Sequence, residues 1–388
     1  MSVFYQAAAS GNLKLLQQLH REGHRLNEII CEAAASSGNV GCLIYLREEG
    51  CPWTIATCTS AAANGSIDCL KYAHENRCPW DEMACCMAAE NGHLTCLIYL
   101  HENGCRWDTQ TCISAAANGH LECLQYAHTN TCEWDSRTCE GAARNGHLYC
   151  LQYAHWNGCE WDAQTPREAS ANGHIDCLIY AHKELCPWDK STCHHAARHG
   201  HIDCLIYAHE NGCPWDEEAC WSAASGGHLD CLIYLHENGC PWDESTCQTA
   251  AGNGHLDCLR YARQEGCEWN ELTSYAAAAS GLSILQYILN EGCPWDWRTC
   301  SRAARHGHLD CLKYLYSIRD TNIPIWNETA CREAAEYGHL DCLVYLHEND
   351  CPWNKESYEG AVYNKHQDCI KYLHYEGCPQ HKWYVHNR

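Results

Sequence analysis

The sequence predicts an all-α solenoid of about fourteen short helix-turn-helix repeats, and three observations predict this fold class. A glycine recurs every 27 residues from position 11 to position 281, and equivalent glycines follow at positions 307 and 338. Apolar residues within each copy recur at the three- and four-residue spacing of helices rather than at the alternation of strands. A copy of this size cannot bury its own apolar surface, so the copies must stack on one another.

The first helix of a copy is predicted from residues 216–242, DEEACWSAASGGHLDCLIYLHENGCPW. Asp216 is positioned as its N-cap, because the carboxylate can accept from the free amides of the first turn. Cys220 and the two alanines that follow form a narrow stripe of small side chains, which lets neighbouring helices approach closely. Gly227 suits the left-handed conformation that ends such a helix.

A second helix is predicted to begin after His228 and to end at Gly239. Leucine, cysteine and tyrosine side chains lie around this helix, so most of its surface is apolar. Pro241 then fixes an extended connector that leads to Trp242 and to the next copy.

The run AAxxGHLDCLxYLHENGCPWD resembles the ankyrin-repeat pattern, whose familiar form is AAxxGHLEVVxLLLxxGADVN. Between the connector and the next alanine pair there is no room for the TPLH motif or the β-hairpin, so each copy is about six residues shorter than the family's unit. The chain is similar to the short, cysteine- and tryptophan-rich ankyrin class of large DNA viruses and some protists. The resemblance implies an ankyrin-like solenoid in which the hairpins are shortened or absent.

The copies predict one continuous array over residues 1–388, with capping repeats at its ends. Residues 1–32 form a polar first copy that suits an N-terminal cap, residues 33–360 form the internal repeats, and residues 361–388 form the C-terminal cap. The period is broken at residues 281–326, where one copy lacks its histidine and the next carries four extra residues. This segment is interpreted as a hinge, a contact loop or neutral drift.

Cysteine is unusually abundant, and 34 of the 35 cysteines fall in three columns, with only Cys86 outside them. These columns lie at positions where the packing requires a small apolar side chain, and a buried thiol acts as one. The odd number of cysteines and the absence of a recognisable secretion signal argue against a disulfide framework. We therefore predict reduced core thiols.

Histidine also recurs in two columns, which raises the possibility of metal sites. The first column follows the turn glycine and includes His93, His120, His147, His174 and His201, and the second lies near the end of the second helix and includes His74, His101, His128, His155 and His182. His201 and Cys204 form one of many HxxC pairs, but stacked copies separate equivalent atoms by about 8–10 Å, too far to share a zinc ion with ligands at about 2.0–2.3 Å. Hydrogen bonds across the tight turn are predicted for the first column, and packing beside the helix cap for the second. No metal ligand and no cofactor are predicted.

Composition and motifs exclude several classes of function. The chain contains no HExxH, phosphate-binding loop or GxSxG motif, and its cysteines and histidines are periodic rather than one unique cluster, so we predict that it is not an enzyme. A formal charge of −23 disfavours nucleic acid and anionic membranes as partners. Without a signal-peptide pattern or a long apolar segment, a monomeric intracellular protein, in the cytoplasm, is expected.

The resemblance implies that the binding surface lies where the copies differ, at the two residues between the alanine pair and the glycine and at exposed first-helix positions. Arginine and aromatic side chains are favoured at interaction hot spots. The predicted contact strip consists of Arg144, Arg198, His199, Trp221, Trp297, Arg305, His306 and Tyr337. The alternative is that these are scattered surface residues.

The predicted function is a non-enzymatic scaffold that binds other proteins through an extended ankyrin-like surface. The alternative is a metal-binding or thiol-buffering protein that uses the cysteine and histidine columns. A third possibility is a member of an expanded repeat family without a specific ligand.

Overall fold

The computed structural model describes residues 2–319 and 325–380. Within those residues the chain forms 28 α-helices and no strand, so the predicted all-α fold is confirmed and hairpins are absent from the described part. The helices follow one another in pairs, one pair for each copy of the sequence repeat. No helix among the described residues combines the length and the apolar character that a membrane crossing requires.

The chain divides into two compact units, residues 1–192 and 193–388. In the first unit, the first helices of the pairs are α1 (Val3–Ala9), α3 (Glu28–Ser36), α5 (Ile55–Ala63), α7 (Glu82–Glu90), α9 (Thr109–Ala117), α11 (Ser136–Arg144) and α13 (Gln164–Ala171). The second helices are α2 (Leu13–Arg21), α4 (Val40–Glu48), α6 (Ile67–Glu75), α8 (Leu94–Glu102), α10 (Leu121–Thr129), α12 (Leu148–Trp156) and α14 (Ile175–Lys183).

Helix α15 (Lys190–His199) begins at the end of the first unit and lies mostly in the second. The remaining first helices are α17 (Glu217–Gly226), α19 (Glu244–Gly252), α21 (Glu271–Ser280), α23 (Trp297–Arg305), α25 (Glu328–Glu336) and α27 (Lys355–Tyr363). The second helices are α16 (Ile202–Glu210), α18 (Leu229–Glu237), α20 (Leu256–Gln264), α22 (Leu282–Asn290), α24 (Leu309–Ser317), α26 (Leu340–Glu348) and α28 (Gln367–Tyr375).

Each unit consists of two layers of helices with a core of small side chains. First helices pack on the first helices of adjacent copies, as α9 does on α7 and α11, and second helices pack on second helices. Cys112, Ala115 and Ala116 of α9 are fully buried, and so is Leu124 of α10. Because the buried first-helix residues are small, these helices can pack closely on one another.

The predicted helix boundaries are present in the copy at residues 216–242. The Asp216 carboxylate accepts a hydrogen bond from the amide of Glu218 at 3.2 Å, and Gly227 ends α17 with a left-handed φ of +78°. In the last copy Lys365 takes the glycine's place with a φ of +63°. This conformation is unfavourable for a side chain-bearing residue, and it occurs here in the copy that the sequence identifies as a cap.

The irregular segment is described only in part. Helix α24 ends at Ser317, residues 320–324 of the predicted insertion lie outside the described residues, and the chain continues with Ile325 and Trp326, both buried. The tail at 381–388 also lies outside the described residues. The continuity of one array from end to end stays a prediction.

Candidate interaction site

Three consecutive first helices of the second unit, α21, α23 and α25, enclose a groove of about 240 Å³. Its walls carry arginine and aromatic side chains together with smaller polar groups. The lining residues are Leu272, Tyr275, Trp297, Arg298, Ser301, Arg302, Arg305, Thr329 and Glu333. Leu272 is 43% exposed and Trp297 is 40% exposed, so the groove presents open apolar surface next to its charges.

The amphipathic pattern of α23 explains why its arginines face the groove. The buried face of the helix consists of small residues, including Cys300, Ala303 and Ala304. Arg298, Arg302 and Arg305 follow at spacings of four and three residues, which places them along one opposite stripe. The helix contains no acidic residue, in a chain whose formal charge is −23.

Two of these arginines are paired with carboxylates. The Arg298 guanidinium lies 2.7 Å from Asp296 and 3.6 Å from Glu271. Arg305 lies 3.5 Å from Glu333, and its guanidinium is 4.4 Å from the ring centroid of Tyr337, within cation–π range. Both side chains therefore have defined positions before any ligand binds.

Arg302 is held differently. Its guanidinium lies 5.0 Å from the ring centroid of Tyr275, and its Nη1 donates to the Tyr275 hydroxyl at 3.4 Å. It forms no ion pair with any described residue, and its buried Nε has no hydrogen-bond partner there. A guanidinium has five N–H donors, so Arg302 retains unused donor capacity beside the groove.

Four of the eight predicted contact residues meet at this site. Trp297 and Arg305 line the groove, and Tyr337 contacts Arg305. His306 is the exposed C-cap of α23, where burial, together with the positive charge of Arg302 and nearby groups, holds its pKa below the usual range. Trp297, Arg305 and Tyr337 thus belong to one local cluster.

The other four predicted residues lie outside the groove. Arg198 and His199 are exposed at the end of α15, and Trp221 is half-buried on α17. Arg144 ends α11 in the first unit, where it pairs with Glu168 at 2.8 Å. Whether all eight residues act as one strip stays a prediction.

A cluster of two arginines around one glutamate occurs in each of the two units. In the first unit Glu168 accepts from Arg144 and Arg167, each at 2.8 Å. In the second unit Glu333 is paired with Arg305 at 3.5 Å and with Arg332 at 3.1 Å. This cluster is therefore a recurring feature of the scaffold, whereas the aromatic side chains and Arg302 are particular to the groove.

In the first-unit cluster, the two arginines lower the pKa of the glutamate between them. Burial tends to raise the pKa of Glu168, but hydrogen bonds from Arg144 and Arg167 outweigh that effect and hold the pKa below its usual range. The carboxylate is therefore ionised, and its charge neutralises part of the charge of the two arginines.

Sequence reasoning missed several groove residues, among them Tyr275, Arg302 and Glu333. A signal for them existed, because the two positions after the first-helix cysteine also vary from copy to copy while the core columns repeat. The first of these positions holds Glu32, Thr59, Cys86, Ile113, Glu140, Arg167, His194, Trp221, Gln248, Tyr275, Ser301 and Arg332. This column contains Tyr275 and Ser301 of the groove, and the position after it contains Arg302 and Glu333.

The cysteines have structural positions. All 35 are buried and none forms a disulfide. Connector thiols donate to the carbonyl of the preceding N-cap residue, as Cys132 does to Asp108 and Cys240 to Asp216, each at 3.2 Å. Burial raises the pKa of second-helix thiols, to about 12 for Cys150. Neutral, buried thiols of this kind react slowly with oxidants and metals.

Both histidine columns link adjacent copies. In the first column, the His255 ring packs against Gly227 and its Nε2 donates to the Ser225 carbonyl at 3.1 Å. In the second column, His128 stacks on Trp134 with 3.8 Å between ring centroids, and its Nδ1 is 3.1 Å from the Tyr153 hydroxyl of the next copy. These contacts make the histidines part of the stacking interface.

Outside the groove, one group in the described part of the chain combines three possible metal ligands: His194, Asp216 and Glu218. Asp216 lies 2.7 Å from Nε2 of the buried imidazole, and Glu218 lies 3.4 Å from its Nδ1. Because the two carboxylates approach different ring nitrogens, the arrangement fits an imidazole hydrogen-bonded to Asp216 and close to Glu218 better than a single ion with three ligands.

Comparison with known proteins identifies the repeats. The family model described as Ankyrin repeats (3 copies) matches residues 273–357 and 300–382, a region that contains most of the groove. No curated protein matches the chain at a significant level. The matched copies share their repeat pattern and their helix pairs with the rest of the chain. Residues 273–382 thus match ankyrin repeats, and the repeated helix pairs of the described residues are consistent with an ankyrin-repeat protein.

Proposed function

We propose that this chain is a non-enzymatic scaffold that binds another protein through the groove formed by α21, α23 and α25. Ankyrin repeats are generally protein–protein interaction modules. The observation that carries the proposal is the concentration of Trp297, Tyr275 and unpaired Arg302 in one open groove. Tryptophan, tyrosine and arginine are the residue types that dominate binding energy at protein interfaces.

The size and rigidity of the groove support a protein ligand. Its volume of about 240 Å³ is below the range of about 300–1,000 Å³ that is usual for small-molecule sites, and it suits one or two side chains of a partner. The walls are already held in place by the Arg298–Asp296 and Arg305–Glu333 ion pairs. A preformed surface of this kind loses little conformational entropy when a partner binds.

The remaining features support the same proposal. The 35 thiols, none of which forms a disulfide, fit a reducing, intracellular compartment, and we propose a monomer in the cytoplasm. The charge of −23 favours a protein partner over nucleic acid or an anionic membrane. The alternative of a thiol-buffering or metal-binding protein requires accessible thiols, so the burial of all 35 supports the scaffold instead.

Site-specific photo-crosslinking tests this function. A photoreactive phenylalanine derivative replaces Trp297 in the groove or, as the control, Trp156, which is 68% exposed on α12. Both full-length variants are expressed in cells and irradiated. We expect a discrete protein adduct from position 297 that position 156 does not form.

A second substitution ties the adduct to the groove. Tyr275→Ala removes the aromatic side chain from α21 while position 297 on α23 keeps the crosslinker. The adduct should then be lost, although the far-ultraviolet circular dichroism spectrum is unchanged. No adduct from position 297, or an adduct that persists in the Tyr275→Ala variant, would refute the proposed binding surface.

A further inference from the structure

We propose that the groove receives an acidic segment of the partner protein, in which an aspartate or glutamate lies beside an apolar side chain. This inference rests on the proposed function and specifies the chemistry of the ligand. Its centre is Arg302, whose guanidinium binds the incoming carboxylate.

The first argument is that the scaffold already neutralises the other arginines of the groove. Arg298 is paired with Asp296 at 2.7 Å, and Arg305 with Glu333 at 3.5 Å. Arg302 forms no such pair with any described residue. The available positive charge of the groove is therefore concentrated on Arg302.

The second argument concerns unmet hydrogen-bonding capacity. The Nε of Arg302 is buried and has no acceptor among the described residues, and its Nη1 has only a long 3.4 Å bond to the Tyr275 hydroxyl. Buried donors without acceptors are unfavourable, and carboxylates match the fork of a guanidinium with two parallel hydrogen bonds. A ligand carboxylate would therefore satisfy donors that the protein itself leaves unsatisfied.

The third argument is the apolar surface beside the charge. Leu272 and Trp297 line the same groove as Arg302, and both are more than one-third exposed. Covering them with a leucine-sized side chain removes apolar surface from water, which favours binding. The site thus combines one anion receptor with one apolar contact surface.

The first unit supplies an internal comparison. Its helix α11 has the length of α23 and carries the same Arg–Glu–Arg cluster through Arg144, but Ser136 and Gly141 stand at the positions of Trp297 and Arg302. The ion-pair cluster is therefore present without the receptor arginine and the tryptophan. This difference distinguishes a ligand site from a purely structural arrangement.

The negative charge around the groove favours a single carboxylate over a polyanion. Glu333 lines the groove, Glu271 lies 3.6 Å from Arg298, and the whole chain has a formal charge of −23. These charges repel a polyanion such as nucleic acid, which presents a continuous row of phosphates. A single carboxylate with apolar neighbours encounters less repulsion and uses both surfaces of the groove.

The test uses a displayed library of random peptides, selected on the immobilised full-length chain. Affinities of the enriched peptides are then measured by fluorescence anisotropy for the unchanged protein and for Arg302→Met, Arg302→Lys and Trp297→Ala. Arg137→Met is the matched control, because Arg137 is an exposed first-helix arginine of the first unit. Circular dichroism and thermal melting verify that each variant is folded.

We expect peptides that contain Asp or Glu next to an apolar residue. Changing the Asp or Glu of the peptide to Asn or Gln should weaken its binding to the unchanged protein by about tenfold or more. The same change should weaken its binding to Arg302→Met by only about twofold. Arg302→Lys should recover part of the loss, and Arg137→Met should have no effect.

The other outcomes separate the two proposals. Neutral or basic peptides whose binding is lost in Trp297→Ala would overturn the acidic ligand and leave the groove as the binding surface. No enriched peptide, or enriched peptides that bind Trp297→Ala as tightly as the unchanged protein, would overturn both.

Discussion

The contact between a turn glycine and a histidine of the next copy can be measured by comparing Gly227→Ala with Gly239→Ala. The two glycines belong to the same copy and have nearly identical φ angles, +78° and +79°. They differ in their surroundings. A Cβ at Gly227 would lie 2.5 Å from Nδ1 of His255, whereas a Cβ at Gly239 would have no heavy atom within 4 Å.

The magnitudes follow from these distances. An alanine in the left-handed region costs about 1–2 kcal/mol, and this cost applies at both positions. At Gly227 the His255 ring must also move, which breaks its 3.1 Å hydrogen bond to the Ser225 carbonyl and costs about 0.5–1.5 kcal/mol more. Part of the packing of the ring is lost as well. We therefore expect about 2–4 kcal/mol for Gly227→Ala and about 1–2 kcal/mol for Gly239→Ala.

Local hydrogen exchange is the appropriate assay, because repeat arrays open in parts and their melting is not a single two-state transition. Exchange is followed by mass spectrometry in peptides from α17 to α20, for both variants and for each in a His255→Ala background. Removing the ring should reduce the cost of Gly227→Ala to that of Gly239→Ala. Equal costs for the two single variants, within about 0.5 kcal/mol, would refute the role assigned to the ring.

Three further predictions concern the thiols, the aromatic contacts and pH. A thiol titration should find all 35 cysteines unreactive in the folded protein and all 35 reactive in denaturant, because every one is buried. Several thiols that react rapidly before unfolding would contradict this. Tyr153→Phe removes the hydroxyl 3.1 Å from His128 and should lower the local free energy of unfolding by about 0.5–1.5 kcal/mol, measured by hydrogen exchange. Burial holds the pKa of His128 and His147 below the usual value of about 6.5, so the folded chain binds protons less readily than the unfolded chain. The free energy of unfolding should therefore decrease as pH falls from about 7 to 5, and urea midpoints that stay constant or rise over this interval would exclude the effect.

The stacking contacts explain why histidine, tryptophan and tyrosine recur with the core residues. His128 stacks on Trp134 of its own copy and contacts Tyr153 of the next, so one side chain joins two copies. Arg47 replaces the histidine in an earlier copy, and its guanidinium lies 4.2 Å from the ring centroid of Trp53. In these two copies a flat polar group therefore covers the connector tryptophan.

The sequence predicts some of the contacts of the two histidine columns but not all of them. It predicted hydrogen bonds across the turn for the first histidine column, and the bond from His255 instead reaches the carbonyl of Ser225 in the preceding copy. It predicted packing beside the cap for the second column, and His128 does pack on the connector tryptophan. The hydrogen bond to Tyr153 was not foreseen, because it joins residues of two copies whose separation depends on how the helices stack.

The sequence by itself determined the fold class and the boundaries of the repeat. Asp216 begins a helix, Gly227 ends it and Pro241 extends the connector through interactions within a few residues, and the same signals recur in copy after copy. The sequence also identified Trp297, Arg305 and Tyr337 as exposed residues that vary among copies. Local signals are sufficient for such conclusions because helix capping, turn conformation and amphipathic spacing require no knowledge of distant contacts.

Only the tertiary structure decided which of the variable residues share a groove and which charges remain unpaired. Arg302 lies over Tyr275 of the preceding copy, while Arg305 is paired with Glu333 of the following one. These contacts depend on the spacing of stacked helices and on the rotamers of long side chains. The repeat period gives neither the spacing of the helices nor the rotamers. From the sequence alone, the same arginines are equally consistent with independent surface charges.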